Sequence, residues 1–270
     1  MATNFEKVVD FNTRFGVIES HKITPKLNIL ESDPNTVEFC LKLIREEVRE
    51  LEDAVKNKDY VEVVDALADI LYVTYGMSAR IGIHMDIAFA LVHNQLCETG
   101  TLSNFEKIVD FKTNQFGGTE LSTELNKLIP KTDILEINPE IIELCLQKNI
   151  RDEMVKLEQA VKDKNYIKTV KALTNIVYGV YNISSSIGVN MDKAFALVHD
   201  SNMSKLCKTE EIAQRSVKNY EDNVSKFGYN SPAYKKAPDD VHWIVYNKFP
   251  SKVLKSIEYN EVDLKSFCYK

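Results

Sequence analysis

Acidic side chains are concentrated between residues 46 and 69, on two segments that could bind a cation together. The first segment carries Glu46-Glu47-x-x-Glu50, and the second carries Glu62-x-x-Asp65-x-x-x-Asp69. Asp69 lies in an otherwise apolar run, Ala-Leu-Ala-Asp-Ile-Leu, so a helix here is apolar on nearly every side and we expect it to be buried. Buried carboxylates without a partner are unfavourable, and several together require a cation.

Carboxylate oxygens in this number favour Mg²⁺ or Mn²⁺, which take hard oxygen ligands, waters and a substrate phosphate. The candidate ligands are Glu47, Glu50, Glu62, Asp65 and Asp69. Two other interpretations stay open: charged runs on helices are often solvated faces, and Asp69 could be a structural carboxylate beside a Tyr or Lys. We expect Glu46 and Glu52 to lie on the surface. The presence of both acidic segments on paired helices favours the metal site.

The bulk composition excludes several classes of protein. The chain has 270 residues, 44% of them hydrophobic and 27% charged, with a net charge of −6. These values are typical of a globular protein, and they provide no broad basic surface for nucleic acid or anionic lipid. The sequence has no apolar run approaching the roughly 20 residues of a spanning helix, so we expect no membrane partner.

The termini and cysteines predict a cytoplasmic protein. The first residues, Met-Ala-Thr-Asn-Phe-Glu-Lys, lack the basic and apolar regions of a signal peptide. The five cysteines are widely spaced and form no CxxC pair, which argues against a zinc site or a disulfide framework. We interpret them as reduced thiols, with Cys40 and Cys145 in the core.

The chain contains the same unit twice. Asn-Phe-Glu-Lys-Val-Val-Asp-Phe at residue 4 recurs with one change at residue 104, and Leu-Glu-Asp-Ala-Val-Lys at residue 51 recurs as Leu-Glu-Gln-Ala-Val-Lys at residue 157. The block Met85–His93 likewise matches Met191–His199. The later blocks are offset by 106 rather than 100, with the extra residues expected chiefly near 117–131. We interpret the pattern as a duplication of about 100 residues, a single-chain version of a homodimer.

Each copy reads as an antiparallel pair of helices with a shorter third helix. In the first copy an apolar three/four spacing from Leu41 to Val55 precedes the polar turn Lys56–Asp59. A second helix is predicted from about Tyr60 to Arg80, and Gly82 stands where a C-terminal cap would lie. The third is predicted from Asp86 to about Gln95. Their apolar stripes must be covered, and the second copy can supply that cover.

The last part of the chain has a different pattern. A helix is predicted from Thr209 to about Val224, and Gly and Pro residues follow it. The run from His242 to Tyr259 predicts a β-hairpin about Phe249–Lys252. The expected fold is therefore mainly α: a pseudo-dimeric bundle of two tandem helical units (residues 1–100 and 101–207) with a C-terminal helix and β-hairpin extension (208–270). Residues 15–35 and 116–138 read as irregular loops.

The acidic pattern resembles that of the all-α nucleoside triphosphate pyrophosphohydrolases. The resemblance includes Asp-Ile-Leu-Tyr-Val, which begins at Asp69, and Val-His-x-Ser-Asn-Met-Ser-Lys in the second copy. These are the MazG-like group, which includes phosphoribosyl-ATP pyrophosphohydrolase-like proteins. The resemblance covers residues 1–207. It implies a helical fold in which carboxylates of two helices, in the pattern Glu-x-x-Glu and Glu-x-x-Asp, hold Mg²⁺ while water releases pyrophosphate.

Carried onto this chain, the resemblance assigns Glu47 and Glu50 to the first pair and Asp69 to the end of the second. The position three residues before Asp69 is Ala66, which cannot bind metal. Asp65 and Glu62 lie on the same helical face and are the available substitutes. Glu47 and Glu50 are also the candidate bases for the attacking water.

The two copies differ at the acidic positions. The six residues of the first copy align with Asp152, Glu153, Lys156, Lys168, Lys171 and Asn175 of the second. We therefore expect one metal site, in the first copy. The second copy alone keeps Ser201-Asn-Met-Ser-Lys205, from which Ser201, Asn202 and Lys205 are predicted to bind substrate.

The predicted function is Mg²⁺-dependent hydrolysis of a nucleoside or deoxynucleoside triphosphate to a monophosphate and pyrophosphate, at one active site per chain. Two alternatives are hydrolysis of phosphoribosyl-ATP and a non-catalytic nucleotide-binding or scaffold protein. Partners other than the nucleotide are not expected beyond a second copy, and the chain is either a monomer with an internal pseudo-dimer or a homodimer.

Overall fold

The computed structural model describes residues 2–94, 139–249 and 252–268, and the chain is mainly helical over these ranges. Several predictions lie outside the described residues. They concern the second Asn-Phe-Glu-Lys motif at 104–111, Cys97, the loop at 116–138, the last residue of the third helix, Gln95, and the centre of the hairpin turn at 250–251.

The elements are numbered along the chain. They are α1 (Asn4–Arg14), α2 (Ile29–Ser32), α3 (Pro34–Asn57), α4 (Tyr60–Ile81), α5 (Met85–Asn94), α6 (Pro139–Leu146), a π-helical segment (Gln147–Arg151), α7 (Asp152–Lys162), α8 (Tyr166–Ser186), α9 (Met191–Met203), β1 (Leu206–Cys207), α10 (Glu210–Asp222), α11 (Val224–Phe227), β2 (Pro232–Lys236), β3 (Trp243–Asn247), β4 (Lys252–Val253) and α12 (Lys265–Cys268). The described helices include none that is both long and apolar enough to cross a bilayer.

The chain forms two compact units. The first comprises Met1–Val8, Lys22–Ala196 and Leu264–Lys270, and the second comprises Val9–His21 and Leu197–Asp263. Helices of both sequence repeats therefore belong to the first unit. The domain boundaries predicted at residues 100 and 207 follow the sequence repeat and remain predictions.

Helices α3 and α4 of the first unit form the predicted antiparallel pair. The Asp33 side chain caps α3 by accepting from the Thr36 N–H, and Lys58 ends it in the left-handed conformation (φ 57°). Asp59 then caps α4 by accepting from the Glu62 N–H. Such caps satisfy backbone groups that a helix end leaves unpaired. The apolar stripe of α3 is buried, and most side chains of α4 are buried as well, as the sequence predicted.

Gly82 ends α4 in the left-handed conformation (φ 83°), as predicted for a C-terminal cap. A Cβ atom at this position would lie 2.1 Å from the Thr24 carbonyl oxygen and 2.7 Å from the Lys26 nitrogen. Both the backbone conformation and the close approach of the 24–26 segment therefore require glycine.

The second helical pair consists of the run α6, π-helical segment and α7, packed on α8. It contains one more residue than the first pair, α3 and α4. Cys40-Leu41 recurs 105 residues later as Cys145-Leu146, whereas Ile44-Arg45 recurs 106 residues later as Ile150-Arg151. The extra residue thus falls where the π-helical segment separates α6 from α7. A π-helix carries one residue more per hydrogen-bonded turn than an α-helix, so it absorbs the insertion without ending the helix. Cys40 is buried as predicted, and Cys145 is only half-buried.

Aromatic side chains of α5 and α9 each pack on a long helix of the other sequence copy, in a reciprocal pattern. Phe89 of α5 packs on Tyr178 and Tyr181 of α8, at ring-centroid distances of 5.5 and 5.9 Å. Phe195 of α9 packs on Tyr72 and Tyr75 of α4, at 5.5 and 6.0 Å. Each residue of the second set lies 106 positions from its counterpart in the first. Exchanged partners of this kind are characteristic of an isologous interface.

The second unit is built on a small antiparallel sheet with β3 at its centre. Strand β2 pairs along the whole of β3, while β1 and β4 pair with opposite ends of its other edge. Helix α10 packs on the sheet around Tyr220, Val245 and Leu254, and Thr209 caps it by accepting from the Ile212 N–H. The predicted hairpin is present as β3 and β4, within a wider sheet that the sequence did not predict.

Candidate functional site

The predicted metal ligands differ in their exposure. Glu47 on α3 and Asp65 and Asp69 on α4 are half-buried, whereas Glu50 and Glu62 are exposed. Ala66, at the position where the resemblance implies a ligand, is buried. The half-buried carboxylates are therefore the part of the predicted set that is partly withdrawn from water.

The turn between α3 and α4 sets the register of these carboxylates. Glu47 lies 11 residues before Lys58, and Asp69 lies 11 residues after it, so both lie at the same level of the antiparallel pair. One helical turn separates Asp69 from Asp65 on the same face of α4. Glu50 lies one turn from Glu47 on α3.

The second pair of helices has the same turn, which supports this register. Lys164 takes the left-handed conformation (φ 54°), and the Asn165 side chain caps α8 by accepting from the Lys168 N–H. Across that pair the Asn175 amide donates to Glu153 Oε2 at 3.0 Å. Glu153 and Asn175 are the counterparts of Glu47 and Asp69 in the sequence repeat. The contact shows that these repeat positions face each other across the second pair.

The donor chemistry at α3 and α4 fits a hard divalent cation. Glu47, Asp65 and Asp69 offer carboxylate oxygens from two helices, which are the ligands that Mg²⁺ prefers. Across the parts of the chain that the structure describes, no three His, Cys, Asp or Glu side chains are already gathered as a metal site. Ion binding at this pair of helices remains a prediction.

The residues predicted to bind substrate lie at the end of α9, in the second unit. Ser201 is buried; its hydroxyl donates to the Asn260 carbonyl oxygen at 2.8 Å and lies 2.9 Å from the Tyr259 hydroxyl. The Lys205 ammonium donates to Asn202 Oδ1 at 2.5 Å. These contacts give Ser201 a clear structural role, while the substrate-binding role of all three residues remains a prediction.

A second polar constellation, which the sequence analysis did not identify, lies wholly within the second unit. A cleft of about 310 Å³ is lined by residues of α1, the segment after it and the turn before β3. Arg14 donates to Asp10 at 2.9 Å and lies 3.6 Å from Asp239, and His21 lies 3.2 Å from Asp10. Its residues come from two segments, 10–21 and 238–242, which are more than 200 residues apart in sequence, so no local motif could have indicated it.

Asp239 is the most strongly perturbed carboxyl group of this cleft. Partial burial acts to raise its pKa, but the backbone N–H groups of His242 and Val241 and the His242 ring together lower the pKa to about 2. The His242 Nδ1 atom lies 2.8 Å from Asp239 Oδ2. Hydrogen bonds to the ionised form explain the direction of the shift.

Comparisons with known proteins agree with the helical architecture. Residues 23–95 match the phosphoribosyl-ATP pyrophosphohydrolase family. The chain is also 33% identical over 259 residues to the uncharacterized protein L479 of Acanthamoeba polyphaga mimivirus. This alignment covers 94% of the present chain and 91% of the mimivirus protein. No solved structure is significantly similar to the chain. The region that matches the family contains α3, α4 and every predicted metal ligand.

Proposed function

Because the chain belongs to the all-α nucleoside triphosphate pyrophosphohydrolases and shares a family with the mimivirus protein, we propose that it hydrolyses nucleoside triphosphates between the α- and β-phosphates. Water attacks the α-phosphorus, the bond to the bridging oxygen breaks, and a nucleoside monophosphate and pyrophosphate leave. The observation that carries the proposal is the set of half-buried carboxylates at one level of α3 and α4, Glu47 and Asp69 with Asp65 beside them.

In this proposal the acidic residues have two roles. Glu47, Asp65 and Asp69 hold Mg²⁺, which when bound neutralises phosphate charge and makes water more acidic. Glu47 or Glu50 accepts the proton of the attacking water, as a carboxylate base within hydrogen-bond reach can do. Glu50 is the more exposed of the two, so it can meet a solvent water without rearrangement of the helix pair.

A turnover assay with matched variants tests the proposal. The protein is incubated with a panel of nucleoside and deoxynucleoside triphosphates and Mg²⁺, and pyrophosphate is measured. We expect Glu47→Gln and Asp69→Asn each to reduce turnover by about 100-fold, since each removes a charged ligand while keeping the shape of the side chain. Glu46→Gln is the control, because Glu46 is the neighbour of Glu47 and forms a surface ion pair with Lys42 at 3.7 Å. No product with any nucleotide, or full activity in a variant that combines Glu47→Gln with Asp69→Asn, would contradict the proposal.

Phosphoribosyl-ATP is the second candidate substrate. The matched family takes its name from this reaction, and the same carboxylate chemistry would cleave the same bond. Comparison of kcat/KM for phosphoribosyl-ATP and for the nucleotide panel separates the two. In either case we propose that Lys205 and Asn202 bind substrate, so Lys205→Ala should raise KM. An unchanged KM and kcat would contradict a substrate contact at Lys205.

A further inference from the structure

The second helical pair keeps the positions of the acidic site but carries different charges. The counterparts of Glu47, Glu50, Asp65 and Asp69 are Glu153, Lys156, Lys171 and Asn175. Four carboxylates on α3 and α4 therefore correspond to one carboxylate, two ammonium groups and one amide. These residues do not fit a divalent cation, because like charge repels it and only one carboxylate remains to bind it.

Glu153 is the retained carboxylate, and both of its oxygens are occupied by side chains of the same pair. The Lys156 ammonium donates to Oε1 at 2.6 Å, and the Asn175 amide donates to Oε2 at 3.0 Å. Glu153 is only 8% exposed. A carboxylate so far from water requires a compensating charge and satisfied hydrogen bonds. Lys156 supplies the charge, and Asn175 supplies the second hydrogen bond.

Other basic residues nearby do not take this role. Lys168 and Lys171 are exposed, and no ion pair within the described residues involves either of them. Arg151 is bound instead by Glu52 and Glu143. The hydrogen bond with Glu153, followed by its negative charge, raises the pKa of Lys156, so the ammonium is charged at neutral pH.

We propose that the Lys156 ammonium is a covalently attached replacement for the divalent cation, which makes the second helical pair a metal-independent support for the first. The proposal rests on the function proposed above, because it takes the acidic set of α3 and α4 as the metal site. The second pair then binds no ion of its own, because Lys156 supplies the positive charge beside Glu153 and the aligned positions 171 and 175 carry no carboxylate.

Reversing the charges should create a second metal site. The triple variant Lys156→Glu, Lys171→Asp, Asn175→Asp gives the second pair the same four carboxylates as the first. Mn²⁺ binding to the full chain is measured by electron paramagnetic resonance of the free ion. We expect the stoichiometry to rise from one ion per chain to two. A control of equal charge change away from Glu153, Lys162→Glu, Asn182→Asp and Lys193→Asp, should stay at one.

The stoichiometries separate this inference from the proposed function. One ion in the wild type and one in the triple variant would overturn the role of Lys156 while leaving the first site intact. No ion in the wild type and one in the variant would contradict the proposed metal site and, with it, the inference that Lys156 replaces an ion. No ion in either protein would overturn both.

A milder pair of variants keeps the test decisive if the triple variant fails to fold. Lys156→Met leaves Glu153 buried without a counter-charge and should lower Tm, whereas Lys156→Met with Glu153→Met should recover most of the loss. The Tm of neither variant should respond to Mg²⁺ differently from the wild type. If Glu153→Met alone also lowered Tm, and the losses of the two single variants added in the double variant, Lys156 would not compensate Glu153.

Discussion

Arg45 Nε donates to Glu158 Oε1 at 2.5 Å, and the same contact recurs with the partners exchanged, from Arg151 Nε to Glu52 Oε1 at 2.6 Å. Both residues of the second pair are displaced by 106 positions from their counterparts, which is the repeat distance of the sequence. A two-fold axis produces such an exchange, since each surface then meets a copy of itself. We infer that the two helical pairs are related as the subunits of a homodimer.

The two ion pairs should differ in strength. The side chains of Arg151 and Glu52 are 29% and 34% exposed, against 41% and 42% for Arg45 and Glu158. Greater exposure weakens an ion pair by solvent screening. We therefore expect a coupling free energy of about 1 kcal/mol between Arg151 and Glu52, and about 0.3 kcal/mol between Arg45 and Glu158. Double-mutant cycles with Arg→Met and Glu→Gln, measured by urea denaturation, provide both values. A larger coupling in the more exposed pair would contradict this order.

The reciprocal phenylalanines should contribute equally to stability. Phe89 and Phe195 are fully buried on equivalent tyrosine pairs. Each substitution by alanine should reduce the free energy of unfolding by about 3–5 kcal/mol, because it leaves a cavity in a packed aromatic cluster. Phe39→Ala is the control, since Phe39 is 44% exposed and should cost under about 1 kcal/mol. Circular dichroism during urea denaturation measures the losses, and losses that differ by more than twofold would argue against equivalent positions.

The helices of the first unit were predictable because their signals are local. The polar turn that ends at Asp59 and the terminal Gly82 placed the ends of α4 within a few residues of those observed. The wider sheet was not predictable, because β1 has two residues and pairs with Ile244 and Trp243, which lie far along the chain. The π-helical segment was missed as well, since a one-residue insertion is visible only when the two repeats are compared around Cys145.

The candidate site was predictable to the level of residue types and helices. Spacing placed Glu47, Asp65 and Asp69 on two helices, and the structure shows these three half-buried. Sequence could not distinguish them from Glu50 and Glu62, because exposure depends on what packs beside each helix face. The cleft around Arg14 could not be predicted from the sequence, because its residues are brought together only by the fold of the second unit.

Gly179 should not tolerate alanine, although alanine normally favours a helix by about 1 kcal/mol. A Cβ atom at this position of α8 would lie 2.4 Å from the Asn149 carbonyl oxygen in the π-helical segment. Relieving such overlap requires a backbone shift, so Gly179→Ala should reduce the free energy of unfolding by about 1–3 kcal/mol. Ser186→Ala, at the exposed end of the same helix, should be neutral or stabilising. A Gly179→Ala protein as stable as the wild type would show that this contact is not tight.

Asp239 should make the stability of the second unit depend on acid pH. Its pKa is lowered from 3.8 to about 2 in the folded protein. The stabilisation is therefore complete above about pH 5 and disappears as the pH falls from about 4 through 2, with a size of up to about 2 kcal/mol. Asp239→Asn should remove it. The fluorescence of Trp243, which is the single tryptophan and lies in β3, reports unfolding of this unit.

The neighbouring Asp240 is the control for this pH dependence, because its side chain is 87% exposed. Asp240→Asn should leave the stability curve between pH 6 and pH 2 nearly unchanged. If the Asp239→Asn and wild-type proteins lost stability in parallel over the same range, the lowered pKa would not be linked to folding.

The proposed metal site predicts that a chelator changes the stability of the first helical pair through charge repulsion. In the proposed site the like charges of Glu47, Asp65 and Asp69 oppose one another when no ion is bound, so we expect Asp69→Asn to leave the Tm of the metal-free protein unchanged or raise it. At a Mg²⁺ or Mn²⁺ concentration of about 100 times Kd, the wild type should gain about 2.7 kcal/mol, and Asp69→Asn should lose most of this gain. Differential scanning calorimetry with and without chelator measures both effects. A variant that is less stable without metal yet gains as much from it would show that Asp69 supports the fold and not the ion.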